Sequence, residues 1–108
     1  DHKHHKHRHW QVPQDARKAA EWWARHAEQL RLAAEEGDPG YQRRYADILY
    51  DGRGVVKNWI EAYKWAALAA SKGDREGQKT LEKLEKELTA EQITQGQARA
   101  AAFKPKPR

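Results

Sequence analysis

The residues with the most chemical potential in this chain stand at its start. Asp-His-Lys-His-His-Lys-His-Arg-His places five imidazoles, His2, His4, His5, His7 and His9, within eight positions. Imidazole suits Zn, Cu and Ni, and closely spaced histidines let an ion take whichever three or four ligands fit. Extended, His5, His7 and His9 share one side; helical, His5 and His9 lie one turn apart. A free amine at Asp1 beside His2 adds a Cu(II)-chelating pair. No cofactor is required; one reading of this tail is transition-metal binding (Cu, Ni or Zn). Against it stands a solvated, solubilising tail: structural zinc normally recruits ligands from separate folded segments, and residues 1–9 contain nothing apolar to fold around.

Other chemistries find little support. There is no cysteine, which excludes disulfides, thiolate metal sites and a thiol nucleophile. No glycine-rich phosphate loop, His-Glu-x-x-His helix or serine elbow occurs. Glu35 and Glu36, like Glu85 and Glu87, belong to solvated helix faces. His26 reads as a surface or helix–helix contact. The chain is expected not to be an enzyme.

The net charge of +5 has a location. Residues 1–10 contribute +2 and residues 104–108 contribute +3, while the intervening residues hold 15 basic and 15 acidic side chains. Basicity confined to the tails argues against a nucleic-acid groove. No run approaches the roughly 20 apolar residues of a membrane span. The chain begins at Asp1 without Met, as removal of a signal peptide or other trimming would leave it; the expected location is the bacterial periplasm.

The elements that must carry these residues read as helices throughout. Ala16, Ala20, Trp23, Ala27, Leu30 and Ala34 step by four and three, one continuous apolar stripe, with Pro13 as the expected first helical residue. Gly37 ends that helix, Asp38 caps the next and Pro39 opens it. Tyr41, Tyr45, Ile48 and Leu49 make the second helix's apolar face. Asp51-Gly52-Arg53-Gly54 is a turn, and Asn58 caps a third helix with a stripe at Tyr63, Ala66, Ala67 and Ala70. Asp74 caps a fourth helix bearing Leu81, Leu84 and Leu88; Thr89-Ala90-Glu91-Gln92 is a capping box that starts a fifth, running to about Phe103. Lys104-Pro105-Lys106-Pro107-Arg108 is a stiff, extended basic tail.

One phrase occurs twice. Ala33-Ala34-Glu35-Glu36-Gly37-Asp38 returns 36 residues later as Ala69-Ala70-Ser71-Lys72-Gly73-Asp74. A fixed period in the mid-thirties holding two helices marks an α-solenoid. Together with Gln42, Gly52-x-Gly54-Val55, Glu61-Ala62-Tyr63-Lys64-Trp65 and Ala69-Ala70, this segment resembles the Sel-1-like repeat, a relative of the tetratricopeptide repeat. Val12-Pro13-Gln14-Asp15 with Ala19, Trp22 and Trp23 looks like the second half of a preceding repeat, and Leu88 to Ile93 with Gly96-Gln97 resembles the closing segment of bacterial members. The resemblance implies a core position for Trp22. Aligning Trp22 with Trp65 needs an offset of 43, so seven extra residues around Ala24 to Leu30 lengthen the first helix by nearly two turns.

The fold class expected is therefore all-α: a short α/α solenoid of about five helices, Sel-1-like or TPR-like, behind a His-rich N-terminal tail. Residues 1–11 form the tail and 12–103 the repeat domain: a half-repeat (12–37), a complete repeat (38–73) and closing helices (74–103). Residues 104–108 follow as a separate tail. The expected function is a non-catalytic protein–protein interaction or scaffold module, an accessory subunit of a larger assembly; metal binding or delivery by the tail is the alternative. The partner-binding residues expected are Tyr41, Arg44, Tyr45 and Ile48 on the concave side, with Tyr50, Arg53 and Trp59 as a second anchor. The partner is a protein, a larger complex or a second copy through the long first helix. Neither nucleic acid nor a transmembrane segment is expected.

Overall fold

Short polar side chains placed ahead of apolar periods decide where each helix begins. The computed structural model describes residues 15–107. These form α1 (Ala16–Glu35), α2 (Pro39–Asp51), α3 (Trp59–Ser71), α4 (Arg75–Glu87) and α5 (Ala90–Ala102), with no strand among the described residues. The expected five-helix, all-α architecture is the one found. Asp38, Asn58 and Asp74 each accept from a first-turn amide, from Gly40 (2.9 Å), Glu61 (3.0 Å) and Gly77 (2.7 Å) respectively. Thr89 and Gln92 close a reciprocal capping box at 2.9 and 3.1 Å. The first helix departs from expectation. Pro13 lies outside the described residues, and the cap is Asp15, whose carboxylate accepts from the amides of Arg17 and Lys18 at 2.9 and 3.1 Å.

Packing centres on α3. Helices α2, α4 and α5 all pack against it, α2 also packs against α1, and α2 and α4 touch more lightly. Helix α5 thus passes over α4 and packs on α3, two elements back, so adjacent helical pairs stack on one another as in a solenoid. The α3 surface is built for crowding: Ala62, Ala66 and Ala69 are fully buried, so neighbouring backbones come close. A Cβ placed on Gly96 of α5 would stand 2.6 Å from the Tyr63 ring, so only glycine allows this approach. Trp65 fills the space left by the alanines. Its ring meets Tyr45 edge-on at 5.7 Å and Phe103 at 5.3 Å. Polar links tie the periphery: Arg99 to Glu61 at 2.6 Å, Tyr63 to Glu85 at 3.2 Å and Tyr50 to Glu87 at 2.6 Å.

The loop after α2 turns back onto α1. Gly54 has φ of 73°, and a Cβ there would lie 2.3 Å from the carbonyl oxygen of Trp23. Loop backbone therefore rests on helix backbone, and the Arg53 guanidinium covers the Trp23 ring at 5.2 Å. Glycine is required twice over, for the left-handed φ and for the approach.

The chain beyond α5 also returns to the fold. Beyond residue 103, the expected end of the repeat domain, Lys106 donates its backbone N–H to the Glu35 carbonyl at 2.8 Å. Its ammonium lies 3.0 Å from the Glu35 carboxylate. Helix α1 has no basic residue in its own last turn, so its free carbonyl end is served from afar: by Lys106, and by Lys72, which donates to the Gly37 carbonyl at 2.6 Å. Burial pushes the Glu35 carboxyl upward, but Lys106 and Arg31 together outweigh it, and the net direction is down.

Two outcomes are expected. Gly73→Ala meets no atom within 4 Å but must adopt a φ of 90°, which costs about 1–2 kcal/mol; Gly54→Ala adds a backbone clash and lowers the urea midpoint by at least twice as much. A lowered Glu35 pKa means stability present above the unfolded glutamate range and lost as pH falls through the folded value. Lys106→Ala therefore destabilises at pH 7, by less than about 1 kcal/mol because the Lys106 side chain is exposed to solvent. The gap to wild type closes in urea titrations stepped from pH 7 to pH 3.

Candidate partner-binding surface

Side chains of α1 and α2 that find no third helix among the described residues form an open groove of about 500 Å³ along the edge of the fold. His26, Gln29, Leu30 and Ala33 line it from α1, Tyr41 and Arg44 from α2, and Glu36 and Asp38 from the connecting turn. Helical periodicity sets the α1 wall: positions 22, 26, 29 and 33 recur every three or four residues on one face. The His26 ring stacks on Trp22 (4.9 Å, 20° between planes) and meets Trp23 edge-on at 5.9 Å. A smaller hollow of about 300 Å³ continues the groove past Trp22 and Arg25. The Arg44 guanidinium lies 5.3 Å over the Tyr41 ring. Tyr41 is 38 % exposed and Leu32 49 %, the largest apolar surfaces the helices leave to solvent among the described residues.

A second hollow of about 500 Å³ lies between α2 and α4. Its lining is charged: Asp47, Asp51 and Glu76 alternate with Arg53, Lys79 and Lys83. Thr80 donates its hydroxyl to Asp47 at 3.1 Å. Burial nevertheless raises the Asp47 carboxyl, outweighing the Thr80 hydrogen bond and the nearby Arg43 and Lys83 charges. At one end Tyr50 stacks on Trp59 (5.1 Å, 7°), and the Lys83 ammonium sits 4.2 Å over the Tyr50 ring. The Trp59 indole donates to the Tyr50 carbonyl at 3.1 Å.

The seven residues expected to bind a partner thus divide three ways. Tyr41 and Arg44 meet in the edge groove. Tyr50 and Arg53 line the charged hollow, with Trp59 half-buried beneath Tyr50. Tyr45 and Ile48 do not belong to a surface at all: they are 9 % and 7 % exposed and pack in the core. The correction has a geometric cause. Tyr41, Tyr45 and Ile48 fall on one helical stripe, but α3 covers its later part through the Tyr45–Trp65 contact and leaves its first turn open. Trp22, a core position by resemblance, is only half-buried, because no helix lies over it among the described residues. His26, Gln29 and Ala33 were not anticipated as groove residues, although their three- and four-residue spacing was available to read. The expected metal ligands His2, His4, His5, His7 and His9 lie outside the described residues. Within those described, no three His, Cys, Asp or Glu side chains cluster as a metal site.

Stability measurements separate core from surface. Tyr45→Ala and Ile48→Ala are expected to cost about 2–5 kcal/mol, and Tyr41→Ala and Arg44→Ala less than about 0.5 kcal/mol, in urea denaturation. Asp47→Asn is expected to leave stability unchanged or raise it at pH 7 and to bring no gain at pH 3. A raised acid contributes its stability below the unfolded pKa and loses it as pH rises through the folded one.

No family model matches the chain, and no curated protein matches it. Among solved structures it is similar to a protective antigen of uropathogenic Escherichia coli strains that displays an SLR (Sel1-like repeat) fold. The TM-score is 0.66 and the identity 29 %, over 85 % of this chain and 18 % of that one. The chain thus spans less than a fifth of that structure's length. Five capped helices, the glycine-marked turns and this likeness fit an all-α Sel1-like repeat fold.

Proposed function

We propose that this chain is a protein-interaction module, an accessory subunit that receives its partner on the edge groove between α1 and α2. The SLR fold supports the general reading, since proteins of this fold serve as interaction scaffolds and are generally non-catalytic. One observation carries the finer one. Helix α3 is covered by α2, α4 and α5, whereas α1 packs substantially on α2 alone among the described residues. A repeat unit does not bury its apolar face without a neighbour. The face in question carries Trp22, Tyr41 and Arg44, residue types enriched at interface hot spots. The partner is another protein or a second copy paired through α1.

The test is a native pull-down combined with sedimentation equilibrium on wild type, Tyr41→Asp and Arg44→Ala. The expected result is a stable dimer or a co-purifying protein whose association each substitution weakens at least tenfold, with helicity unchanged. A monomer without a partner, or association indifferent to both substitutions, sinks the reading.

A second reading rests on the five imidazoles within residues 1–9: the tail binds Cu, Ni or Zn and the helical domain carries it. Calorimetric titration of each ion against chains with and without residues 1–9 decides it. Submicromolar affinity lost with the tail supports metal binding or delivery, and affinity no tighter than micromolar leaves the tail as decoration. Either role is compatible with a periplasmic location, which cell fractionation checks.

A further inference from the structure

The segment after α5 lies in a seat made by parts of the fold distant from it in sequence. The Phe103 ring stands edge-on to Trp65 at 5.3 Å. The Lys64 ammonium lies 4.3 Å from the Trp65 ring centre and 5.7 Å from that of Phe103, bridging the two. Pro105 rests over Gly37, its ring carbons 3.4 and 3.6 Å from where a Cβ would stand. Lys106 binds twice to one residue: its backbone N–H to the Glu35 carbonyl at 2.8 Å, and its ammonium to the Glu35 carboxylate at 3.0 Å.

The seat is held in shape without this occupant. Trp65 is fixed by Tyr45 on its other side, the Glu35 carboxylate by Arg31 at 2.8 Å, and the Gly37 carbonyl by Lys72 at 2.6 Å. Phe103 is half-buried against the core, but the occupant past it is held lightly. Lys104, Pro105, Lys106 and Pro107 are exposed, and the Lys106 side chain is 68 % accessible. Past Phe103 the segment has one backbone hydrogen bond to the rest of the fold among the described residues. An extended, proline-stiffened strand with an aromatic anchor and one paired cation has the features of a peptide ligand, with little ordering entropy to lose on binding.

We propose that this seat is a binding site for an extended aromatic-x-Pro-Lys segment of a partner protein, and that the chain's own Phe103–Lys106 occupies it in cis. Trp65 takes the aromatic ring, Gly37 provides the flat floor for the proline, and Glu35 reads the lysine through carbonyl and carboxylate together. A segment tethered by α5 has an effective concentration in the millimolar range, so it suppresses binding in trans until it is displaced. The seat shares no residue with the edge groove and does not depend on the reading given for it.

The experiment uses the full chain and a fluorescein-labelled peptide of sequence Ala-Ala-Phe-Lys-Pro-Lys-Pro-Arg, read by anisotropy, with the Gly37 amide and Trp65 indole followed by NMR. Three chains are compared: wild type, the double variant Phe103→Ala with Lys106→Ala, and wild type with three glycines inserted between Ala102 and Phe103. Both altered chains are expected to bind the peptide at least tenfold tighter than wild type, with shifts at Gly37 and Trp65. Adding Glu35→Gln is expected to weaken that binding several-fold and to abolish its loss at acid pH. If a well-folded altered chain binds no tighter than wild type, or binds a scrambled peptide equally well, the proposal is wrong. If both altered chains fail to fold, the segment is a structural staple and the proposal is equally overturned.

Discussion

Close approach to α3 is the constraint to which the remaining structure answers. Where α3 presents Ala62, Ala66 and Ala69, all fully buried, only methyl groups stand between its backbone and its neighbours. They are held to that distance by their own small residues. A Cβ on Gly77 would meet the Ala69 methyl at 2.9 Å, and one on Gly96 the Tyr63 ring at 2.6 Å. The remaining gap is filled by Trp65, 2 % exposed, which joins Tyr45 of α2 to Phe103 beyond α5. Dense packing of this kind tolerates no added methylene without strain, so one crowded helix sets the positions of α2, α4 and α5 together.

Helix α1 sits outside that arrangement and depends on borrowed contacts. It shares a packed face with α2, and the Gly54 loop rests on its backbone at Trp23. Its carbonyl end receives Lys72 from just past α3 and Lys106 from beyond α5. These long-range cations do what basic residues in a last turn normally do for a helix dipole. Among the described residues nothing covers the far flank of α1, and there Trp22, His26 and Tyr41 are gathered.

Much of the fold was legible because its signals are local. Asp38, Asn58, Asp74 and the Thr89–Gln92 pair cap helices through hydrogen bonds spanning two or three residues, and such bonds are written in adjacent sequence. The candidate surface was legible only in part. Tyr41 and Tyr45 stand one turn apart on the same stripe, yet one is 38 % exposed and the other 9 %. Nothing within α2 distinguishes them; the difference is made by where Trp65 arrives. Asp15 caps α1 because its carboxylate reaches two free amides, those of Arg17 and Lys18.

The sequence alone determined that this chain is a short series of helices with a repeat near 36 residues, because periodicity, caps and glycine turns act over distances of one or two helical turns. Only the tertiary structure decided which faces were spent on packing and which were left open. It buried Tyr45 and Ile48, exposed Tyr41 and Arg44, and laid Lys106 on Glu35, a residue 71 positions earlier. The physical reason is that burial is a property of pairs of surfaces, and the partner surface comes from chain that is remote in sequence.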